Sequence, residues 1–263
     1  LTKTIRAAKV SNTIVTPRLN LWLQQHHNVD LDAEIADLIR DLLVKPQRDR
    51  TKSFSSSSSG KCPRRQIYEF IGVPTGSVFS PQTISIFHDG TWRHLRWQAA
   101  LLQAGILSEV EVMLDWPRKR SMGSMDGQGI VPEDHKHEPW RGLQFGFELK
   151  GANSFAYKSF AYTPSEDHLD QIHRYFLSGG LDLFVLIYEN KDTNEFKEYV
   201  IEPDPERLAK QQRELDMLNR FVDRQRIPPM LKPCQEQKGA PWTTCPFGGK
   251  DGVCIRRNQW QGK

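Results

Sequence analysis

The sequence predicts an α/β fold in which a helix, three strands, a second helix and a further strand follow one another. Three observations carry that order: helical spacing before residue 105, two-residue alternation between 109 and 150, and one hexapeptide apolar at every position, Leu183-Phe184-Val185-Leu186-Ile187-Tyr188. A strand apolar on both faces belongs in the middle of a sheet.

Taken in order, Ile35, Leu38, Ile39 and Leu42 give one apolar helical face, with Asp30 and Asp32 as candidate caps, so this segment reads as a packing helix. After Pro46, the stretch Ser53 to Gly60 has Phe54 as its one large apolar residue and reads as a flexible loop. Gln82 to Ala104 is predicted helical from Trp92, Leu95, Ala99 and Leu102, closed by Gly105. Three strands are predicted next: Glu109 to Trp116, with Val110, Val112 and Leu114 alternating against Glu109, Glu111 and Met113, then Gly123 to Val131, then Gly142 to Lys150. Ser165 caps a helix to Leu177, with Glu166 and Asp167 favourable in its first turn and Gly179-Gly180 ending it. Beyond Pro203 and Pro205, Leu208, Leu215, Leu218 and Val222 mark an amphipathic helix that stops before Pro228-Pro229. The tail is rich in Gly, Pro and Cys, has little apolar material of its own and needs an anchor. We divide the chain into 1–60 (helical region and serine-rich loop), 61–202 (core) and 203–263 (helix and tail), packed as one domain.

A chain of 263 residues, 38% hydrophobic and 26% charged, has the composition of a soluble globular protein. No apolar run approaches the roughly 20 residues that cross a bilayer, and Leu-Thr-Lys-Thr-Ile-Arg does not lead into a secretory signal, so an intracellular protein with no membrane partner is expected. The net charge of +4 is compatible with a polyanionic partner without identifying one. Arg64-Arg65, Arg118-Lys119-Arg120 and Arg256-Arg257 are candidate phosphate contacts, each more ordinary as solvated surface charge. Four cysteines are few for a stapled secreted fold; Cys62 stands alone while Cys234, Cys245 and Cys254 crowd the C-terminal region, a pattern that points to metal or cluster ligation.

The chemistry starts at Phe147-Glu148-Leu149-Lys150. On a strand, Glu148 and Lys150 share one face while Phe147 and Leu149 point into packing. A carboxylate can hold a divalent cation, and a lysine beside it can orient water and neutralise phosphate charge. Alone, such a pair is more often an ordinary ion pair. Gly123-Ser124-Met125-Asp126-Gly127 places a second carboxylate between glycines, His94 offers an imidazole from a helix, and Gln171 and Tyr175, four residues apart, share a helical face.

The ordered set His94, Gly123-Ser-Met-Asp126, Glu148-Leu-Lys150 and Gln171-x-x-x-Tyr175 resembles the RecB-type nuclease branch of the PD-(D/E)XK superfamily over residues 60–200 or so. The resemblance implies a restriction-endonuclease-like core, a central mixed sheet flanked by helices. It implies magnesium or manganese held by His94, Asp126, Glu148 and the Leu149 carbonyl, water positioned by Lys150, and a site organised by Gln171 and Tyr175; Glu111 is a weaker candidate. It also implies a hydrolase acting on DNA, single-stranded or at duplex ends, more an exonuclease than a restriction-type endonuclease, with a recombination or helicase protein as a candidate partner. A non-catalytic DNA-end-binding module is the alternative from another class. Trp92, Trp97 and Trp140 are candidate base-stacking residues, though core packing explains them as well. Lys61-Cys62-Pro63-Arg64-Arg65 is similar to the Cys-Pro-Arg segment of the iron–sulfur members, the CRISPR-adaptation and AddB nucleases, which implies a 4Fe-4S cluster on Cys62, Cys234, Cys245 and Cys254. Four thiolates suit zinc as well, and the late spacing, ten and then eight intervening residues, is wider than the family's.

Overall fold

The computed structural model describes residues 12–26, 28, 30–44, 49, 51–75, 80–239, 242–249 and 252–256; Arg257 of the Arg256-Arg257 cluster, Pro46 and the first eleven residues lie outside it. Its helices are α1 (Thr16–Gln25), α2 (Ala33–Val44), α3 (Pro63–Phe70), α4 (Pro81–Gln103), α5 (Ser154–Ser159), α6 (Glu166–Gly179), α7 (Pro205–Asp223), α8 (Lys232–Gln235) and α9 (Val253–Arg256). Its strands are β1 (Phe54–Ser55), β2 (Glu109–Trp116), β3 (Ser121–Ile130), β4 (Gln144–Ala152), β5 (Leu183–Asn190) and β6 (Phe196–Ile201). They form one mixed sheet in the order β1-β3-β4-β5-β6, with β2 paired to β3. The predicted order of helix, three strands, helix and strand is present, as α4, β2, β3, β4, α6 and β5.

β4 and β5 run parallel, joined through α5 and α6, while β2–β3, β3–β4 and β5–β6 are antiparallel. All eight residues of β5 are buried. Alternation then sorts side chains between two cores. Phe145, Phe147, Leu149, Leu183, Val185 and Ile187 pack on the α4 side with Trp97 and Leu101. Phe184, Leu186 and Tyr188 pack on the α6 side with Leu169, Ile172 and Tyr175. Glu148 and Lys150, between the α4-side residues of β4, are thereby aimed at α6.

The β2–β3 pair breaks this alternation at one step. Val110 packs with the α4-side core, whereas Val112 and Leu114 pack with the α6-side core. Between them Glu111 has φ of +53°, a left-handed backbone that non-glycine residues adopt at a cost of about 1 kcal/mol. The register of the flanking pairs, Val110 with Gly127 and Val112 with Met125, sets Glu111 opposite Asp126. Both strands therefore change faces at the Glu111/Asp126 step.

β3 also carries two partners on its other edge. β1 pairs with Ser121 and Met122, and β4 pairs with Gly127 to Ile130. The stretch between them, Gly123 to Asp126, has no strand on that edge among the described residues, and the sheet opens there.

Several expectations need correction. The serine-rich segment is not a loose loop: it forms β1 and a 3-10 turn (Ser56–Ser58), with Ser56, Ser58 and Ser59 buried. Phe54 anchors it by stacking on Phe70 at 4.9 Å, and the hydroxyls find partners in the Met122 carbonyl, the Ser56 carbonyl and Glu69. α2 buries none of its residues, and Leu38 is exposed. On α4 burial begins at Leu95, so Trp92 is exposed rather than part of a packed face. Trp97 and Trp140 are buried, Trp97 edge-on to Phe196 and Trp140 bonded through Nε1 to Glu202. β6 and α5 were not foreseen. β6 supplies Glu198, a buried carboxylate that accepts from the amides of Ile14, Val15 and Thr16 and from the Thr16 hydroxyl, capping α1.

One buried cation binds several of these elements together. Arg174 on α6 is fully buried and donates to Gln211 and Glu214 on α7 and to the Ser55 carbonyl on β1. Among the described residues no helix is long and apolar enough to cross a membrane.

Candidate active site

The pocket opens where β3 and β4 part. It has a volume of about 210 Å³ and is lined by Glu148, Lys150, Gln171, Tyr175, Ser124, Met113 and the serines of the β1 turn. Its floor is a hydrogen-bonded chain. Lys150 Nζ donates to Glu148 Oε1 at 2.6 Å and to Gln171 Oε1 at 3.1 Å. Gln171 Nε2 donates to Glu148 Oε1 at 2.8 Å and to the Tyr175 hydroxyl at 2.7 Å, and that hydroxyl donates to the Ser124 carbonyl at 2.7 Å. Gln171 and Tyr175, four residues apart on α6, act from one face as expected.

Asp126 stands at the point of divergence. Its Oδ2 accepts the Leu149 amide at 2.7 Å, satisfying a β4 donor that the departing β3 backbone no longer meets. Its Oδ1 contacts His94 Nδ1 at 3.0 Å. Gln98, one turn beyond His94, donates to the Asp126 carbonyl and to Glu111, whose other carboxylate oxygen takes the Ser124 hydroxyl. The structure thus brings His94, Asp126, Glu148, Lys150, Gln171 and Tyr175 into one neighbourhood, with Glu111 bonded at its rim.

The electrostatics are those of buried charge held together. Burial pushes the Glu148 carboxyl up to about 7; the Asp126 carboxylate adds to the rise and Lys150 opposes it. Burial pulls on the Lys150 ammonium, but Glu148 and Asp126 outweigh it and hold its pKa above the usual lysine value. Likewise burial works against charge on His94, yet Asp126 raises it overall. The Tyr175 phenol is raised well above its ordinary value by burial and by Glu148, so it stays a neutral donor. A cationic lysine suits charge neutralisation and positioning more than proton abstraction.

Fit to a divalent ion turns on the donors. Glu148 Oε2 is buried with no hydrogen-bond partner among the described residues, an expensive state for a carboxylate oxygen and one a cation would relieve. Two carboxylates and an adjacent imidazole form a donor set suited to magnesium or manganese. His94, however, is turned onto Asp126, and no three His, Cys, Asp or Glu side chains converge as a ready-made metal site among the described residues.

The four cysteines meet elsewhere. Cys62, Cys234, Cys245 and Cys254 line one pocket of about 10 Å³ with Arg64, Tyr68 and Phe247, and none forms a disulfide. Burial raises the Cys234 and Cys254 thiols, and the other thiols of the group raise them further. Arg64, read as a possible phosphate contact, is instead buried and holds the tail through the Pro228 and Cys254 carbonyls. Lys119 pairs with Asp216, and Arg120 with Asp223 and Asn219, so this second cluster braces α7.

Sequence reading missed the wall of the candidate active-site pocket. Ser55 and Ser57 line it, and a Cβ on Gly123 would meet Ser56 Oγ at 2.6 Å and the Tyr175 ring at 2.7 Å. The signal present was Phe54 alone, because the pairing that orders the segment is with residues 121 and 122, far along the chain.

No family model and no curated protein matches the chain. Among solved structures, that of SSO0001 is similar with a TM-score of 0.44 at 19% identity, over 70% of this chain and 84% of that one. LHK-Exo, an alkaline exonuclease from Laribacter hongkongensis, is similar in its complex with dAMP, with a TM-score of 0.48 at 14% identity over 66% of this chain and 90% of that one. A further LHK-Exo structure gives 0.45 at 15% identity over the same shares.

Proposed function

We propose that this chain is a divalent-metal-dependent DNA nuclease, an exonuclease acting on single strands or duplex ends. The observation that carries the reading is the cluster at the strand divergence: Asp126, and Glu148 with its unpartnered oxygen, beside a lysine fixed between Glu148 and Gln171. Asp126 and Glu148 would hold magnesium or manganese, with His94 and the Leu149 carbonyl as further ligands. When bound, the ion would supply Lewis-acid charge at a phosphoryl oxygen and lower the pKa of water. Lys150 would neutralise charge growing on the phosphate and orient the attacking water; Gln171 would keep the ammonium in place, and Tyr175 would fix Gln171 against the Ser124 carbonyl. The test is hydrolysis of end-labelled single- and double-stranded DNA in magnesium or manganese beside Lys150→Met. Metal-dependent loss of label by the wild type alone supports the reading; no hydrolysis by either removes it. Circular substrates separate the modes, since an exonuclease leaves them intact.

We further propose that Cys62, Cys234, Cys245 and Cys254 ligate a metal centre that ties α3 to the tail. The donor set fits a 4Fe-4S cluster or a zinc ion. Among the described residues no three of these side chains converge as a ready-made metal site, and the space between them is about 10 Å³, so either centre requires the thiols to move.

A further inference from the structure

The serine turn is a partition between two pockets. On one side is the active-site pocket, and on the other a larger one of about 270 Å³; Ser55 and Ser57 line both. The second pocket also takes Ser53, Arg65, Gln66 and Glu69, none of them in the cluster assigned to catalysis. Its chemistry is that of an anion site. The Glu69 carboxylate is engaged on both oxygens, by Arg65 Nε at 2.8 Å and by Ser58 Oγ at 2.7 Å. The terminal nitrogens of the Arg65 guanidinium donate to nothing among the described residues, and the side chain is 30% exposed. Ser57 is exposed on the partition. A guanidinium with unused forks next to hydroxyls, with the nearby carboxylate already paired, matches a phosphate diester.

We propose that this second pocket is a phosphate subsite, in which Arg65 and the partition serines hold the backbone phosphate next along the strand from the scissile one. The strand crosses Ser55 and Ser57 from one pocket to the other, so these hydroxyls fix the register at which the scissile phosphate meets Lys150. The assignment rests on the nuclease reading and adds the direction in which the bound strand leaves the catalytic cluster.

The test is binding of a fluorescein-labelled single strand in EDTA, where no cutting occurs, followed across a salt series. Removing one phosphate contact with Arg65→Gln is expected to weaken binding about 10-fold and to lower the slope of log affinity against log salt by about 0.7. Arg65→Lys, which keeps the charge, is expected to restore the slope. An unchanged slope in folded Arg65→Gln overturns the subsite. If Arg65→Gln lowers the melting temperature sharply, Ser53→Asp carries the test, because Ser53 lines the second pocket and not the first: a loss of about 10-fold is expected, and unchanged affinity overturns the proposal. Arg65-dependent binding with no cleavage in magnesium or manganese defeats the nuclease reading and leaves a phosphate-binding pocket without a scissile register; cleavage with an unchanged Arg65→Gln slope defeats the subsite alone.

Discussion

Glu148→Gln separates the cost of the acidic cluster from its use. In the metal-free protein the Glu148 carboxyl is pushed from 4.5 to about 7, chiefly by burial, with Asp126 adding to the rise. Between those values the folded state holds a proton that the unfolded chain has released, so this group withdraws stability as pH rises from 4.5 to 7. At about 1.4 kcal/mol per unit the full shift corresponds to roughly 3 kcal/mol, an upper bound because the Lys150 ion pair is lost with the charge. His94, also raised, has the same sign: its contribution is present at low pH and lost as pH climbs through its folded pKa. His168, pulled down to about 4 by burial and Lys150, has the opposite sign and gains stability between 4 and 6.5. Wild-type stability alone therefore blends opposing terms, and the difference between wild type and Glu148→Gln isolates one. Urea unfolding in EDTA at pH 5 and pH 8 should show the variant gaining about 1–3 kcal/mol on the wild type between the two. Magnesium or manganese at pH 8 should then stabilise the wild type and leave the variant unmoved. Parallel stability curves with no metal effect would refute the account of a strained, cation-seeking carboxylate.

Lys150→Met should lower nuclease activity about 10²-fold or more, read from initial rates. Glu198→Ala removes a buried acceptor shared by the amides of Ile14, Val15 and Thr16 at the start of α1 and should cost about 3 kcal/mol in urea unfolding. Glu111→Gly should be about 1 kcal/mol more stable than Glu111→Ala in urea unfolding, because both lose the bonds to Gln98 and Ser124 and the glycine alone relieves the left-handed strain. Anaerobically purified protein should show either a broad visible absorbance lost in Cys62→Ser, or one tightly bound zinc and no colour. A colourless protein without zinc removes the proposed centre.

Much of the fold was legible because its signals are local. The apolar run 183–188 gave the central strand, and alternation over 144–150 put Glu148 and Lys150 on one face, where they lie. The Ser165 cap gave the start of α6. What stayed hidden depends on distant pairing. The serine segment is ordered by β3 and Phe70, β6 is framed by β5, and the face change at Glu111 follows a backbone angle that its residue type does not announce. Asp126 shows the same limit. Its glycine neighbours pointed to a close approach, but only the parting of β3 from β4 explains why its carboxylate receives the Leu149 amide.

The buried guanidinium of Arg174 sets a lower bound on the shortest piece of this protein that can fold. The residues assigned to chemistry end at Tyr175 and the sheet ends at Ile201, which invites truncation at Pro205. Cutting there would remove Gln211 and Glu214, the α7 partners of a guanidinium that is fully buried in the intact fold; removing one partner of a buried pair costs up to about 3–5 kcal/mol. That penalty is a large part of a typical domain's whole stability. Helix α7 is thus a tenant of the core, and a working fragment must carry it whatever becomes of the cysteines.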